Sequence, residues 1–367
     1  MQIISKQPTD KFIFSIFADL TQGIDSYYGW YTALPESFFS TQFRSDLVAI
    51  GIKDLLGDDQ SKLSSGAAKF REMFSRNKST KFVICTGLEN IAPELATENS
   101  AVVHLGGDWL NEIEIYQNLA PVSKKHTANT HVISLNRNPR HHRTLAASYL
   151  QGLAVPVELT FLHQQTLSYE SVLDAVPWDL GSLSQSQQQT LVAGYLRLAG
   201  NVRCQDDYDI YRNVGLVNTV ANFENRLREK YQRSFVEVVA ETTFVENGFN
   251  LTEKTMQAFL GFNFPIMLSS PGTVQFLRAL GFDMFDDVVN HSYDLILDPA
   301  LRVITALDNN SFLLHNRDSA KQKWQECLPR FATNWKIVQS GALAQWFESR
   351  ARKEFADAVT LLTCREK

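Results

Sequence analysis

Residues 249–268, FNLTEKTMQAFLGFNFPIML, set Thr252, Glu253 and Lys254 where an amphipathic helix begins and follow that helix with a short apolar strand. Thr252 suits an N-cap, its hydroxyl accepting an N–H from the first turn. Glu253 complements the positive end of the helix dipole, whereas a cation at Lys254 is unfavourable there by roughly a few tenths of a kcal/mol unless an anion joins it. Helix amino ends bind phosphate through their free N–H groups, and a lysine beside them adds countercharge. A diphosphate on Lys254, with the vicinal diol of a ribose on Glu253, is the chemistry this spacing would serve. A solvated helix end is the plain structural explanation.

A second cluster lies in SLNRNPRHHRTLAASYL, residues 134–150. The apolar run HVISLN ends at Asn136 and delivers the chain to a turn holding Arg137, Arg140, His141, His142 and Arg143. Planar guanidinium groups pair with phosphate oxygens bidentately. Cations fixed where a leaving diphosphate gains charge stabilise the transition state more than the ground state. A solvated basic turn is the plain alternative.

Two spellings suggest metal chemistry and are set aside. Asp207-Tyr208-Asp209 has the Asp-x-Asp form that holds a divalent cation against a diphosphate. It follows no buried strand and precedes a helical pattern, so helix capping explains it better. His141 and His142 are adjacent, without the i, i+4 spacing of a helical ligand pair, and are expected beside phosphate instead. No metal is expected.

A carboxylate at the end of a strand can act as a general base. Asp108 in HLGGDW is the first candidate, because it follows a strand and its two glycines permit close approach of a ligand. Asp19 and Glu36 are alternatives, and helix capping would account for all three. The aromatic stretch YYGWYTALPESFF, residues 27–39, is expected as a loop that stacks on a ligand or covers a core.

The elements that must position these residues alternate. KFIFSIFADL (11–20), KFVICTGLEN (81–90) and AVVHLGGDWL (101–110) each read as an apolar strand ending at Gly or Asp, with a helical pattern in SKLSSGAAKFREMFSR. Such alternation predicts an α/β domain with a mostly parallel sheet, whose ligands sit at the carboxyl ends of strands. PVSKKHTANT (121–130) is polar and aperiodic and reads as a linker. Beyond it, HVISLN, VELTFLH, SFVEVVAET and FPIML are strands among helical patterns, so the second lobe is α/β as well. The last fifty-odd residues read as two or three amphipathic helices with Trp324, Trp335 and Trp346 as core anchors.

At 367 residues the chain suits two domains, and its 44% hydrophobic residues suffice for large cores. A net charge of -5 argues against a protein coated in nucleic-acid-binding cations. Cys85, Cys204, Cys327 and Cys364 form no CxxC pair, which predicts free thiols in a reducing compartment. The run FIFSIFADL is too short for a membrane span and lacks signal-peptide flanks, so a cytoplasmic protein without a membrane span is expected.

The segment from Glu241, ETTFVENGFNLTEKTMQAFLGFNFPIMLSSPGTVQFLRALGF, through Ser292-Tyr293-Asp294 resembles the donor-binding half of GT-B-type glycosyltransferases, notably fucosyltransferase and exostosin-like sequences. The arginine block 134–150 resembles the strand, basic turn and helix of the same set, and the match implies Arg137 and Arg143 rather than Arg140 as its phosphate ligands; the N-terminal lobe has no counterpart. The fucosyltransferase pattern carries Phe-Glu-Asn-Ser before the triplet, where this chain has AETTFVENG, so Glu241 or Glu246 takes the acidic role and Glu241, ending a strand, is preferred.

The resemblance implies two Rossmann-like lobes facing a cleft, with C-terminal helices packing across them. Residues 1–125 would form the acceptor-side α/β domain. Residues 126–315 would form the nucleotide-sugar-binding α/β domain, with a helical insertion at about 169–233, and 316–367 would return to the N-terminal lobe. The donor would be held by Asn136, Arg137, Arg143, Glu241, Thr252, Glu253 and Lys254, and catalysis would fall to Asp108, Arg143 and Lys254. The implied activity is metal-independent sugar transfer from a nucleotide-sugar co-substrate, with no other cofactor, to a glycan, a glycolipid or a hydroxylated base in DNA. The basic stretches RNPRHHR, RLREKYQR and SRARKEF favour the DNA acceptor only if they share a face. A catalytically silent nucleotide-sugar-binding protein and a metal-dependent GT-A enzyme compete with this reading.

Overall fold

The computed structural model describes residues 2–3, 17–30, 34–53, 60–86, 95–105, 113, 116–124, 131–136, 140–161, 180–201, 223–242, 244 and 251–364. The chain is α/β and divides into two compact units. Unit 1 comprises Met1–Glu114, Asn247–Thr252 and Ser340–Lys367; unit 2 comprises Ile115–Glu246 and Glu253–Gln339. The division falls ahead of the polar stretch expected as a linker, whose described residues 121–124 belong to unit 2.

Unit 1 is built on a five-stranded parallel sheet in chain order: β1 (Gln2–Ile3), β2 (Asp25–Trp30), β3 (Leu47–Lys53), β4 (Lys81–Thr86) and β5 (Ser100–His104). Helices α1 (Glu36–Phe39) and α2 (Gln60–Arg76) lie between strands. Along α2, Ala67, Phe70 and Phe74 recur at helical spacing and are buried with Met73 against Phe82 and Ile84 of β4. Two expectations are corrected. Residues 17–20 are a helical turn rather than the end of a strand, and residues 11–16 lie outside the described residues. The stretch 27–39 is not a loop: its first part is β2, its last part α1, and Tyr27 packs edge-on against Phe38 and Phe43 at 5.8 and 5.5 Å. Aromatic residues fit a half-buried strand well.

Unit 2 carries β6 (Val132–Asn136), α3 (His141–Gly152), β7 (Val157–Phe161), α4 (Gln185–Asn201), α5 (Arg228–Arg233), β8 (Val236–Ala240), α6 (Glu253–Gly261) and β9 (Phe264–Leu268). Helices α7 (Thr273–Ala279), α8 (Pro299–Asn309), α9 (Ser311–His315), α10 (Arg317–Glu326) and α11 (Leu328–Gln339) follow. Its four strands are parallel in the order β7-β6-β8-β9. Strands β6, β8 and β9 are buried throughout, as parallel strands covered on both faces must be. Pro265 is tolerated because β9 is an edge strand, and the N–H of Met267, of the same parity, is taken by the Tyr293 hydroxyl at 2.8 Å.

The last helix, α12 (Ala342–Cys364), rejoins unit 1, whereas α10 and α11 stay with unit 2, so the tail expected to act as one block is split. Helix α12 lies along β5, the sheet's edge. There the Glu354 carboxylate accepts the backbone N–H of His104 at 2.8 Å and meets its Nδ1 at 3.0 Å, while Arg350 Nε donates to the other oxygen at 2.7 Å. Trp324 and Trp335 are buried, but Trp346 is 44% exposed and anchors no core. Cys85 and Cys327 are buried free thiols, Cys364 is an exposed one, and Cys204 lies outside the described residues. Among the described residues no helix is long and apolar enough to cross a membrane.

Helices α3 and α4 cross where Gly152 and Gly194 let the backbones touch; a Cβ at Gly194 would overlap the Ser148 carbonyl. Gly194→Ala should therefore cost about 1–3 kcal/mol, read as a lower urea midpoint. Burial alone would raise the Glu354 carboxyl, but the bonds from His104 and Arg350 and the His104 charge hold it at about 2, below its ordinary 4.5. The stability this gives is complete above about pH 4.5 and lost as pH falls through about 2. Acid unfolding of Glu354→Gln should show a shallower dependence across that window.

Candidate functional site

The order β7-β6-β8-β9 reverses between β6 and β8, and the crevice at the carboxyl ends of strands flanking such a reversal is where open α/β sheets bind ligands. The described strands of unit 1 run in simple sequence and have no reversal. Backbone pairing between β6 and β8 covers only Val132↔Val236 and Ile133↔Glu237, while β6 pairs with β7 as far as Asn136↔Phe161. Beyond those two positions the carbonyls of Val238 and Ala240 turn to side chains. Ser134 Oγ donates to the Val238 carbonyl at 3.3 Å, Arg143 Nε to Ala240 at 3.3 Å, and Arg143 Nη2 and His142 Nε2 to Glu241 at 3.1 and 2.9 Å. Arg140 Nη1 donates to the Thr242 carbonyl.

The basic turn thus clamps the end of β8. Arg143 is 3% exposed; burial lowers its pKa, opposed by the carboxylates of Glu253 and Glu241. His142, expected beside phosphate, is a buried imidazole stacked on Phe244 at 4.6 Å, held well below its ordinary pKa by burial and then by the Arg143 charge. Asn136 is fully buried at the end of β6, its Nδ2 donating to Ser134 Oγ at 2.7 Å and its Oδ1 without a partner among the described residues.

Glu241 leaves β8 fully buried, and its carboxylate meets the amino end of α6. Oε1 accepts the N–H and hydroxyl of Thr255 at 3.3 and 2.5 Å, and Oε2 accepts the N–H of Thr242 at 3.3 Å. An anion from the chain itself therefore occupies part of the anion site of this helix. Above it Lys254 Nζ lies 2.6 Å from Glu253 Oε1, with the two side chains 12% and 27% exposed. Burial alone would raise the Glu253 carboxyl; the Lys254 charge and hydrogen bond, the bond from its own N–H and the Arg143 charge outweigh it and hold it below its ordinary value. Thr252 is buried at the residue preceding the helix.

Asn136, Arg143, Glu241, Glu253 and Lys254 thus gather around the ends of β6 and β8. Arg137, Asp108, Glu246 and the Asp207-Tyr208-Asp209 motif lie outside the described residues. Among the described residues no three His, Cys, Asp or Glu side chains are grouped to hold a metal ion. Within two of the basic stretches several cations have acidic partners: Arg228 with Glu224, Lys230 with Glu158, Arg350 with Glu354 and Arg352 with Glu348.

Sequence reasoning missed the buried polar group under α6. Glu237, the one acid inside the apolar run VEVVA, takes the Tyr231 hydroxyl at 2.8 Å. Lys124 Nζ donates to the carbonyls of Tyr231 and Gly261 at 2.9 and 2.6 Å and to Asn263 Oδ1. The charge in an otherwise apolar strand was a usable signal; nothing marked Lys124 within a polar stretch. Comparison of the chain with protein-family models, curated proteins and solved structures finds no match.

Glu241→Ala would strand two donors of Thr255 and should cost about 1–3 kcal/mol or more. Lys254→Ala, which removes a partly exposed pair, should cost about 1 kcal/mol or less. Urea unfolding of both variants checks the ranking.

Proposed function

We propose that the chain is a glycosyltransferase of the GT-B type, moving a sugar from a nucleotide-sugar donor held by unit 2 to an acceptor hydroxyl, without a metal ion. The observation that carries the reading is the convergence of the Glu253–Lys254 pair, Glu241 and Arg143 at the reversal point of the second sheet. Lys254 exchanges Glu253 for the diphosphate, and Glu253 turns to hydroxyls of the ribose or sugar. Arg143 adds positive charge from beneath while keeping its grip on β8. As the acceptor oxygen bonds to the anomeric carbon and the bond to the diphosphate breaks, these cations take up the charge that develops on the leaving group. Asp108 is the proposed proton acceptor.

A thermal-shift panel of nucleoside diphosphates and their sugars tests the donor. One member should stabilise the protein, by about 2.7 kcal/mol at a hundredfold excess over Kd. Lys254→Ala should weaken that binding roughly tenfold or more. Release of nucleoside diphosphate with a glycan, glycolipid or hydroxymethylated DNA acceptor then identifies the transfer; binding with no release with any of them identifies a silent nucleotide-sugar-binding protein. No stabilisation by any member overturns the proposal.

A further inference from the structure

Below the proposed donor site, unit 2 keeps a buried acid that the transfer chemistry does not use. Side chains alternate along β8: Val236, Val238 and Ala240 enter the apolar core, which turns Glu237 to the opposite face, in step with Glu241 further along. Glu237 is 1% exposed. Its Oε1 accepts the Tyr231 hydroxyl at 2.8 Å, and its Oε2 has no partner among the described residues.

The nearest lysine cannot complete it. Burial lowers the Lys124 pKa well below its ordinary value, with the Glu237 charge opposing the fall, and its Nζ is already spent on the carbonyls of Tyr231 and Gly261 at the ends of α5 and α6 and on Asn263. Among the described residues the other ionisable groups around Glu237 come from α5, α6, β7, β8 and residues 116–124. Helix α5 supplies Tyr231; residues 116–124 supply Lys124 and Tyr116, whose hydroxyl accepts Gln257 Nε2 at 2.9 Å. Helix α6 supplies Glu253 and Lys254, β8 supplies Glu241, and β7 supplies Glu158, which is already paired with Lys230 at 2.6 Å. The strand neighbours of Glu237 are Ile133 and Pro265, which carry no charge. Burial pushes the Glu237 carboxyl up to about 8; the Tyr231 bond and the Lys124 charge oppose the rise, Glu241 adds to it, and Lys254 opposes it.

We propose that Glu237 is the proton-linked control residue of the donor site, taking up a proton from solvent when a nucleoside diphosphate binds at the amino end of α6 and returning it when the diphosphate leaves. The inference rests on the donor reading above. A diphosphate brings negative charge toward a carboxyl that already feels Glu241, and it draws on Lys254, a charge that favours ionised Glu237. Both effects favour the protonated acid. By reciprocity, the affinity for the diphosphate falls as pH rises through the titration of Glu237.

Calorimetry of the full chain with UDP, GDP, CDP and ADP, at pH 8 in two buffers of different ionisation enthalpy, reads the proton directly. The phosphates of these probes are fully ionised at that pH. The unaltered protein should take up a measurable fraction of a proton per diphosphate bound, since a carboxyl pushed up to about 8 is only partly protonated there before binding. Its affinity should fall severalfold between about pH 7 and 9. Glu237→Gln should show neither effect. Should that variant fail to fold, the protonated-carboxyl infrared band of the unaltered protein must grow on adding the diphosphate at pH 8. Equal proton uptake in both proteins, or an infrared band that does not respond, overturns the inference and leaves the donor reading standing. Failure of every diphosphate to bind at any pH overturns both.

Discussion

The Glu241 carboxylate and the backbone carbonyl of the same residue face opposite demands, and the carboxyl edge of the second sheet is arranged around meeting both. The carbonyl lies just past the end of β8, where Arg143 and His142 donate to it. The carboxylate supplies the amino end of α6 with an acceptor. One residue thereby ties a strand, the helix beside β6 and the helix before β9 into a single local frame. Buried donors left without acceptors would cost more than any of these bonds contributes.

That frame explains why an acid and a base stand together at the start of α6. Lys254 is misplaced with respect to the helix dipole alone, but Glu241 below and Glu253 beside it make the local potential negative enough to hold an ammonium. Arg143 then answers Glu253 from the other side. Opposite charges alternate through the site, and the buried ones, Arg143 and Glu241, interact with little screening by salt. A site built this way has its cations fixed before any ligand arrives, which is the condition for electrostatic stabilisation of a charge that develops later.

Much of this was legible in the residues, and the failures have physical causes. Strands β6, β8 and β9 were visible because parallel strands buried on both faces read as unbroken apolar runs. Helix α6 announced itself by its cap-like start and spacing. The clamp of Arg140, His142 and Arg143 on β8 was not readable, since a guanidinium that grips backbone has the same letter as one that would grip phosphate. Strand β3 escapes the sequence reading although Val48, Ala49 and Ile50 are all buried, because LVAIGIK has no turn signal ahead of it as sharp as those flanking its neighbours. Lys124 was invisible for a different reason: its three acceptors come from two places more than a hundred residues further along the chain, Tyr231 and the turn at Gly261 and Asn263.

The return of α12 to the first unit has a consequence for synthesis. Its residues are made only after unit 2 has been completed at Gln339. On the ribosome the later-encoded body therefore has all its parts first, while β5 waits with the backbone N–H of His104 uncovered until Glu354 emerges. A nascent chain held at that stage lacks the cover α12 gives to β5, and uncovered strand edges are surfaces to which other unfinished chains adhere.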